Sequence, residues 1–146
     1  MLIRNILEES VRKFDEVKAV KWLNKKEIME RSYGELMENV VSTRKGLLAE
    51  GFEGKHIALI GTSSVEWMES YLGIITGCTT AVPLDAALPC EDLIDLLNRS
   101  DSVALFLSPK LRPYLDAFLE NCPKLQKVWM LQEEVEDAPA KVYGIG

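Results

Sequence analysis

Residues 56–84 read HIALIGTSSVEWMESYLGIITGCTTAVPL, and this stretch decides the fold class. His56-Ile57-Ala58-Leu59-Ile60 is a short apolar run that stops at Gly61, the length and composition of a strand buried on both faces. Ser63-x-x-Glu66 reads as a capping box that opens a helix over about 64–76. That helix carries Val65, Trp67, Met68, Tyr71, Leu72, Ile74 and Ile75 on several sides, so it is expected to be buried on more than one of them. Gly77 closes it. Thr79-Thr80-Ala81-Val82 is the next strand, and Pro83 is expected to end it because proline has no N–H for the ladder. A strand, a helix and a second strand in immediate succession make a parallel crossover unit.

The same alternation continues outward. Upstream, Ser32-Tyr33-Gly34-Glu35 is another capping box, in which the hydroxyl accepts the Glu35 amide and the carboxylate reaches back. The helix that follows places Leu36, Val40, Thr43 and Leu47 on one stripe, and Gly51 is placed to end it in a left-handed turn. Gly54 permits a second turn before the 56–60 strand. Downstream, Pro89-Cys90-Glu91-Asp92 opens a helix with its acidic residues in the first turn, where the dipole favours them. Val103–Leu107 is a strand. Pro113 begins a helix carrying Leu115, Phe118 and Leu119, and Val128–Leu131 is a short final strand. At the other end, 2–14 reads as a helix with Leu2, Ile6, Leu7, Val11 and Phe14 on its inner side. Val17–Leu23 and Glu27–Arg31 read as the arms of a short hairpin turned at Asn24–Lys26.

The expected fold class is therefore α/β: a mostly parallel sheet with helices on both faces, preceded by an N-terminal helix and a small hairpin. Residues 1–131 form one α/β unit. Residues 132–146, acidic and then containing Ala, Pro and Gly, read as a loosely held tail or truncation loop.

The 146 residues suit one domain, and 47% hydrophobic with 27% charged residues is an ordinary globular balance. A formal charge of −6 opposes a large nucleic-acid or anionic-membrane surface, while leaving room for local basic patches at Lys25–Lys26 or at Lys110 with Arg112. No transmembrane segment or signal-type stretch is read, so a cytoplasmic location is expected. Three cysteines, at 78, 90 and 122, make no disulfide framework, and His56 is the only histidine, so no structural zinc site is expected.

The chemistry does not close into a catalytic constellation. Gly61-Thr62-Ser63-Ser64 follows a strand and opens a helix, where free amides and hydroxyls can hold an anion. It has one glycine rather than the three of a dinucleotide fingerprint, and simple capping by Ser63 and Ser64 is the plainer reading. No Walker A loop occurs, and Asp85 lacks the acidic partners of a phosphorelay receiver. Trp67 and Tyr71, four residues apart, form one aromatic patch that either lines an acyl or aromatic pocket or packs in the core. Cys90, in a helix first turn, is a candidate for a lowered pKa. The residues retained as possible ligand contacts or pocket neighbours are Thr62, Ser63, Ser64, Trp67, Tyr71 and Pro83. No catalytic or metal-binding residue is assigned.

Four segments carry a resemblance. Arg31-Ser32-Tyr33-Gly34-Glu35-Leu36 is similar to "TYxEL", and Gly46 through Leu59 to "GLxxxGxxxGDxVAL". Ser64-Val65-Glu66-Trp67 is similar to "SPEW", and Gly77 through Asp85 to "GAVxVPLN". In this order and spacing they resemble the amino-terminal region of the AMP-forming acyl-CoA synthetases, of the adenylate-forming superfamily, with the long-chain fatty acid–CoA ligase type expected. The resemblance implies a partial N-terminal subdomain of that fold. It also implies a parent enzyme that activates a carboxylate with ATP and Mg2+ to an acyl-adenylate, then passes the acyl group to coenzyme A.

The family's "SGTTGxPK" loop has no match in Met1–Gly146. This chain is therefore expected to bind none of these cofactors, to be inactive alone, and to partner the remainder of its parent chain. Self-association through exposed apolar surface is a further expectation. The alternative is a free-standing α/β small-ligand-binding or regulatory domain with its contacts around Gly61–Ser64 and the turn after Pro83.

Overall fold

A computed structural model describes residues 3–24, 26–62, 64–131 and 142–145. Helix α1 (Ile3–Phe14) leads into a hairpin, β1 (Lys18–Asn24) and β2 (Glu27–Ser32), which forms its own antiparallel two-stranded sheet. Helix α2 (Tyr33–Ala49) follows at once. Strand β3 (His56–Ile60), helix α3 (Val65–Thr76), β4 (Thr80–Leu84), α4 (Cys90–Arg99) and β5 (Ser102–Leu107) then alternate. A 3-10 turn (Pro109–Tyr114), α5 (Leu115–Asn121), β6 (Lys127–Leu131) and β7 (Val142–Ile145) complete the described chain. The second sheet has five strands in the order β4-β3-β5-β6-β7, all parallel.

Strand alternation divides the apolar residues between two cores. Ala58, Ile60, Leu105, Leu107, Val128 and Met130 face α4 and α5, where Leu93, Leu97, Leu115 and Phe118 meet them. Ile57, Leu59, Ala104, Phe106 and Leu131 face the other way, against Leu47 of α2 and Ile74 of α3. Both faces of the sheet are thus covered, as a parallel sheet requires. Trp129 closes the second core from β6, with its ring stacked on Phe106 at 5.0 Å and edge-on to Phe52 at 6.4 Å.

Local chemistry explains the element ends. Ser32 caps α2 by accepting the Glu35 amide at 3.1 Å while Glu35 accepts the Ser32 amide at 3.2 Å, the reciprocal box read from the sequence. Those bonds to Ser32 hold the Glu35 carboxyl below the ordinary glutamate range. Gly51 and Gly54 adopt φ of 76° and 74°, the left-handed turns expected of them. Asp101, with φ of 55°, makes the corresponding turn after α4.

Several expectations are corrected. Pro83 lies inside β4, in register with Leu59, rather than ending the strand. It is tolerated because β4 is the border of the sheet, where one side of the backbone needs no ladder partner. The cap of α3 is Ser64, whose hydroxyl accepts the Trp67 amide at 3.1 Å, one residue beyond the box read at Ser63-x-x-Glu66. Pro113 stands within the 3-10 turn, and the α-helix starts at Leu115. Ile6 and Phe14 of α1 stay half exposed, because α1 has only the α2–α3 layer to pack on and buries none of its residues fully. The expectation of a loose tail over 132–146 falls largely outside the described residues. Within it, Val142–Ile145 is a strand paired to β6, where the sheet offers an open border.

Candidate functional site

The sheet order creates one special place. From β3 the chain crosses by α3 to β4 on one side, whereas from β5 it crosses by α5 to β6 on the other, with the two helices on opposite faces. The loops after β3 and β5 therefore part company beyond the carboxyl ends of these adjacent strands. In open α/β sheets such a switch point is where ligands bind.

A cleft of about 620 Å³ lies at this end. The β3 loop contributes Gly61 and Thr62, the β4 end contributes Leu84 to Ala87, and the segment after β5 contributes Lys110, Leu111, Pro113 and Tyr114. Its floor is apolar, since Leu84, Leu111 and Tyr114 belong to or pack against the first core. Its polar groups are the exposed Thr62, Asp85 and Lys110. Asp85 is already turned inward to its own loop, accepting the Ala87 amide at 2.9 Å. The arrangement suits a ligand with an apolar limb and a polar or anionic end.

Of the residues singled out from sequence, Thr62 lines this cleft, and Pro83 precedes the β4 residues that do. Ser63 lies outside the described residues, and Ser64 is engaged as the helix cap. Trp67 and Tyr71 stack on each other, ring centroids 5.4 Å apart, and pack against the second core rather than lining the cleft. The turn after Pro83, named in the alternative reading, does line the cleft, whereas sequence reasoning left Leu111, Pro113 and Tyr114 out of the site. The signal that finds them is their position just past strand ends, and it becomes usable only when the strand order is known. Lys110, noticed only as a basic residue, joins the cleft for the same reason.

Two polar features stand elsewhere. At the amino ends of the strands, Lys55, His56, Asp101 and Lys124 line an open groove of about 530 Å³. There His56 Nδ1 lies 2.7 Å from the Ser100 carbonyl oxygen, and the Lys124 ammonium pairs with Asp101 and holds its carboxyl below the usual range. Between β2, α2 and α3, Arg31, Asn39, Glu66 and Glu69 surround a polar cavity of about 90 Å³. Glu69 accepts from the Asn39 amide at 2.6 Å and pairs with Arg31 Nε at 3.3 Å. Burial, only partly offset by these partners, pushes its carboxyl up.

The cysteines are all free. Cys90 departs from expectation: burial, reinforced by the Glu91 charge, raises its thiol pKa rather than lowering it. Its helix start faces the first core, so desolvation outweighs the dipole.

A Cβ on Gly61 would stand 2.1 Å from Ser108 Oγ and 3.2 Å from Trp67 Cδ1, so the room left by this glycine is filled from within the protein. Among the described residues, no three His, Cys, Asp or Glu side chains converge as a metal site. Among the same residues, no helix is long and apolar enough to cross a membrane.

The profile of the AMP-binding enzyme family matches residues 7–143. No curated protein sequence matches the chain. Among solved structures, coronafacic acid ligase from Pectobacterium brasiliense aligns with a TM-score of 0.86 at 20% identity, over 99% of this chain and 28% of that one. The anthranilate CoA ligase AuaEII, solved with anthranoyl-AMP, aligns at 0.78 and 18% identity, over 89% of this chain and 25% of its own. The N-terminal domain of FACL13 from Mycobacterium tuberculosis aligns at 0.79 and 18% identity, over 89% of this chain and 34% of its own. These likenesses show the fold, and the chain spans about a quarter to a third of the length of the structures it matches. With its α/β layers, its strand-end cleft and a family match along nearly its whole length, the chain belongs to the AMP-binding enzyme family.

Proposed function

We propose that this chain is a scaffold portion of an adenylate-forming acid–thiol ligase, and that its switch-point cleft supplies one wall of a ligand site completed by other segments. The parent enzyme would join a carboxylic acid to ATP with release of pyrophosphate, then pass the acyl group to the thiol of coenzyme A. When bound, ATP and magnesium supply the leaving group and its charge neutralisation. In this reading, the groups that hold them belong to other segments of the parent.

What the chain itself contributes is position. Leu84, Leu111 and Tyr114 present an apolar surface that excludes water from a ligand limb, and Lys110 offers a cation at the rim. The carrying observation is the packing at Gly61. The β3 turn, where a phosphate loop would be sought, is closed by Ser108 and Trp67, so it acts as a structural joint.

The test is ATP–pyrophosphate exchange with a panel of fatty and aromatic acids, comparing this chain with the protein translated from the complete native reading frame. Exchange by the complete protein and none by residues 1–146 is expected. Exchange by the 146-residue chain alone refutes the scaffold reading, and a complete protein without exchange refutes the ligase reading.

A further inference from the structure

We propose that the outward face of the β1–β2 hairpin is a self-association surface, and that its occupant is the same hairpin of a second copy of this chain. The hairpin has two unlike faces. One carries Val20, Trp22 and Arg31, and it is turned toward the body, with the Arg31 guanidinium over the Trp22 ring at 5.5 Å and paired to Glu69 of α3. The other carries Lys21 and Leu23 on β1, and Ile28 and Glu30 on β2, in the cross-strand pairs Lys21↔Glu30 and Leu23↔Ile28. All four are exposed. Leu23 at 69% and Ile28 at 73% are the most exposed large apolar residues of the described chain.

This pattern is complementary to itself. A two-fold axis running along the hairpin, between its strands, lays β1 of one copy over β2 of the other. Lys21 then faces Glu30 of the second copy, Glu30 faces its Lys21, and each Leu23 covers an Ile28. Every contact made once is made again by symmetry, as an isologous interface requires. The bodies do not collide, because each lies on the far side of its own hairpin, where Arg31 binds α3. Lys21 and Glu30 already face each other across one hairpin and neither ion-pairs elsewhere among the described residues, so a second copy turns each intramolecular pair into an alternating ring of four charges. A patch of four side chains is smaller than the roughly 1,200–2,000 Å² of a stable complex, so the association is weak, at micromolar Kd or above.

The test is sedimentation equilibrium of the 146-residue chain over micromolar to millimolar concentration, with circular dichroism confirming that every variant is folded. The wild-type chain is expected to show a monomer–dimer equilibrium. K21E makes both charged positions of the face negative, and E30K makes both positive. Each alone should weaken dimerisation by about tenfold through like-charge opposition. An equimolar mixture of folded K21E and E30K should associate at least as strongly as wild type, since each negative position then meets a positive one. Leu23→Asp should abolish association. A strictly monomeric wild-type chain overturns the proposal. So does a dimer whose strength ignores both charge reversals, or a mixture that associates no better than its components.

Discussion

Replacing Gly61 by alanine tests the joint between β3 and β5 directly. The new methyl group would stand 2.1 Å from Ser108 Oγ, 3.1 Å from Ser108 Cβ and 3.2 Å from Trp67 Cδ1. Ser108 cannot simply withdraw, because its amide donates to the Ile60 carbonyl at 3.0 Å and the preceding Leu107 is in the first core. Overpacking of this kind costs about 1–3 kcal/mol, and the shortest contact places Gly61→Ala near the middle, at about 2 kcal/mol. Ser108→Ala acts in the opposite sense. Ser108 is 2% exposed and its hydroxyl has no hydrogen-bond partner among the described residues, so its removal should stabilise by about 1 kcal/mol. In the double variant the worst contact is gone and the 3.1 Å approach to Ser108 Cβ and the 3.2 Å approach to Trp67 Cδ1 remain. The two changes should therefore couple by about 1–2 kcal/mol rather than add. Urea unfolding followed by tryptophan fluorescence reads all four corners of the cycle. A Gly61→Ala variant within about 0.5 kcal/mol of wild type, or a double variant equal to the sum of the singles, would refute the reasoning.

Three further outcomes follow from the geometry. Ser64→Ala removes the one side-chain cap of α3 and should cost about 1 kcal/mol in the same unfolding assay, with Ser64→Asp recovering most of it. Glu69 has its folded-state pKa raised, so its carboxyl contributes stability that is fully present below the unfolded value and is lost as pH rises through the folded one. Glu69→Gln should consequently gain on wild type between pH 4 and pH 7, and urea midpoints at the two ends that keep a constant difference would contradict this. Alkylation by iodoacetamide at neutral pH, mapped by mass spectrometry, should label exposed Cys78 first, Cys90 more slowly than free cysteine, and buried Cys122 last.

The elements of this fold are written in local chemistry and were legible as such. The Ser32–Glu35 box, the positive-φ glycines at 51 and 54 and the apolar run at 57–60 each act within a few residues, and each appears where the sequence places it. What was not legible depends on partners distant in sequence. Two adjacent serines, at 63 and 64, offer rival caps, and local pattern favoured the wrong one because Glu66 completes a box with Ser63. In the structure Glu66 comes within 3.9 Å of Arg31 Nη2 on β2, a residue the local motif cannot see. Pro83 could be placed inside a strand only by knowing that β4 is a border. The cleft was half visible. Thr62 was found at its strand end, but Lys110 and Tyr114 reach it only through the pairing of β3 with β5. Trp67 and Tyr71 look pocket-like from their spacing and are in fact a stacked pair over the second core.

The proline in β4 also gives the sheet a direction of growth. An additional strand approaching that border would meet a position with no donor, in a strand that opens with an exposed threonine at 80. The opposite border, at β7, has no proline in Val142–Ile145. Any strand that joins this sheet, from the same polypeptide or another, is therefore steered to the β7 side. Moving a proline into β7 while replacing Pro83 by valine would exchange the closed and open ends of the layer.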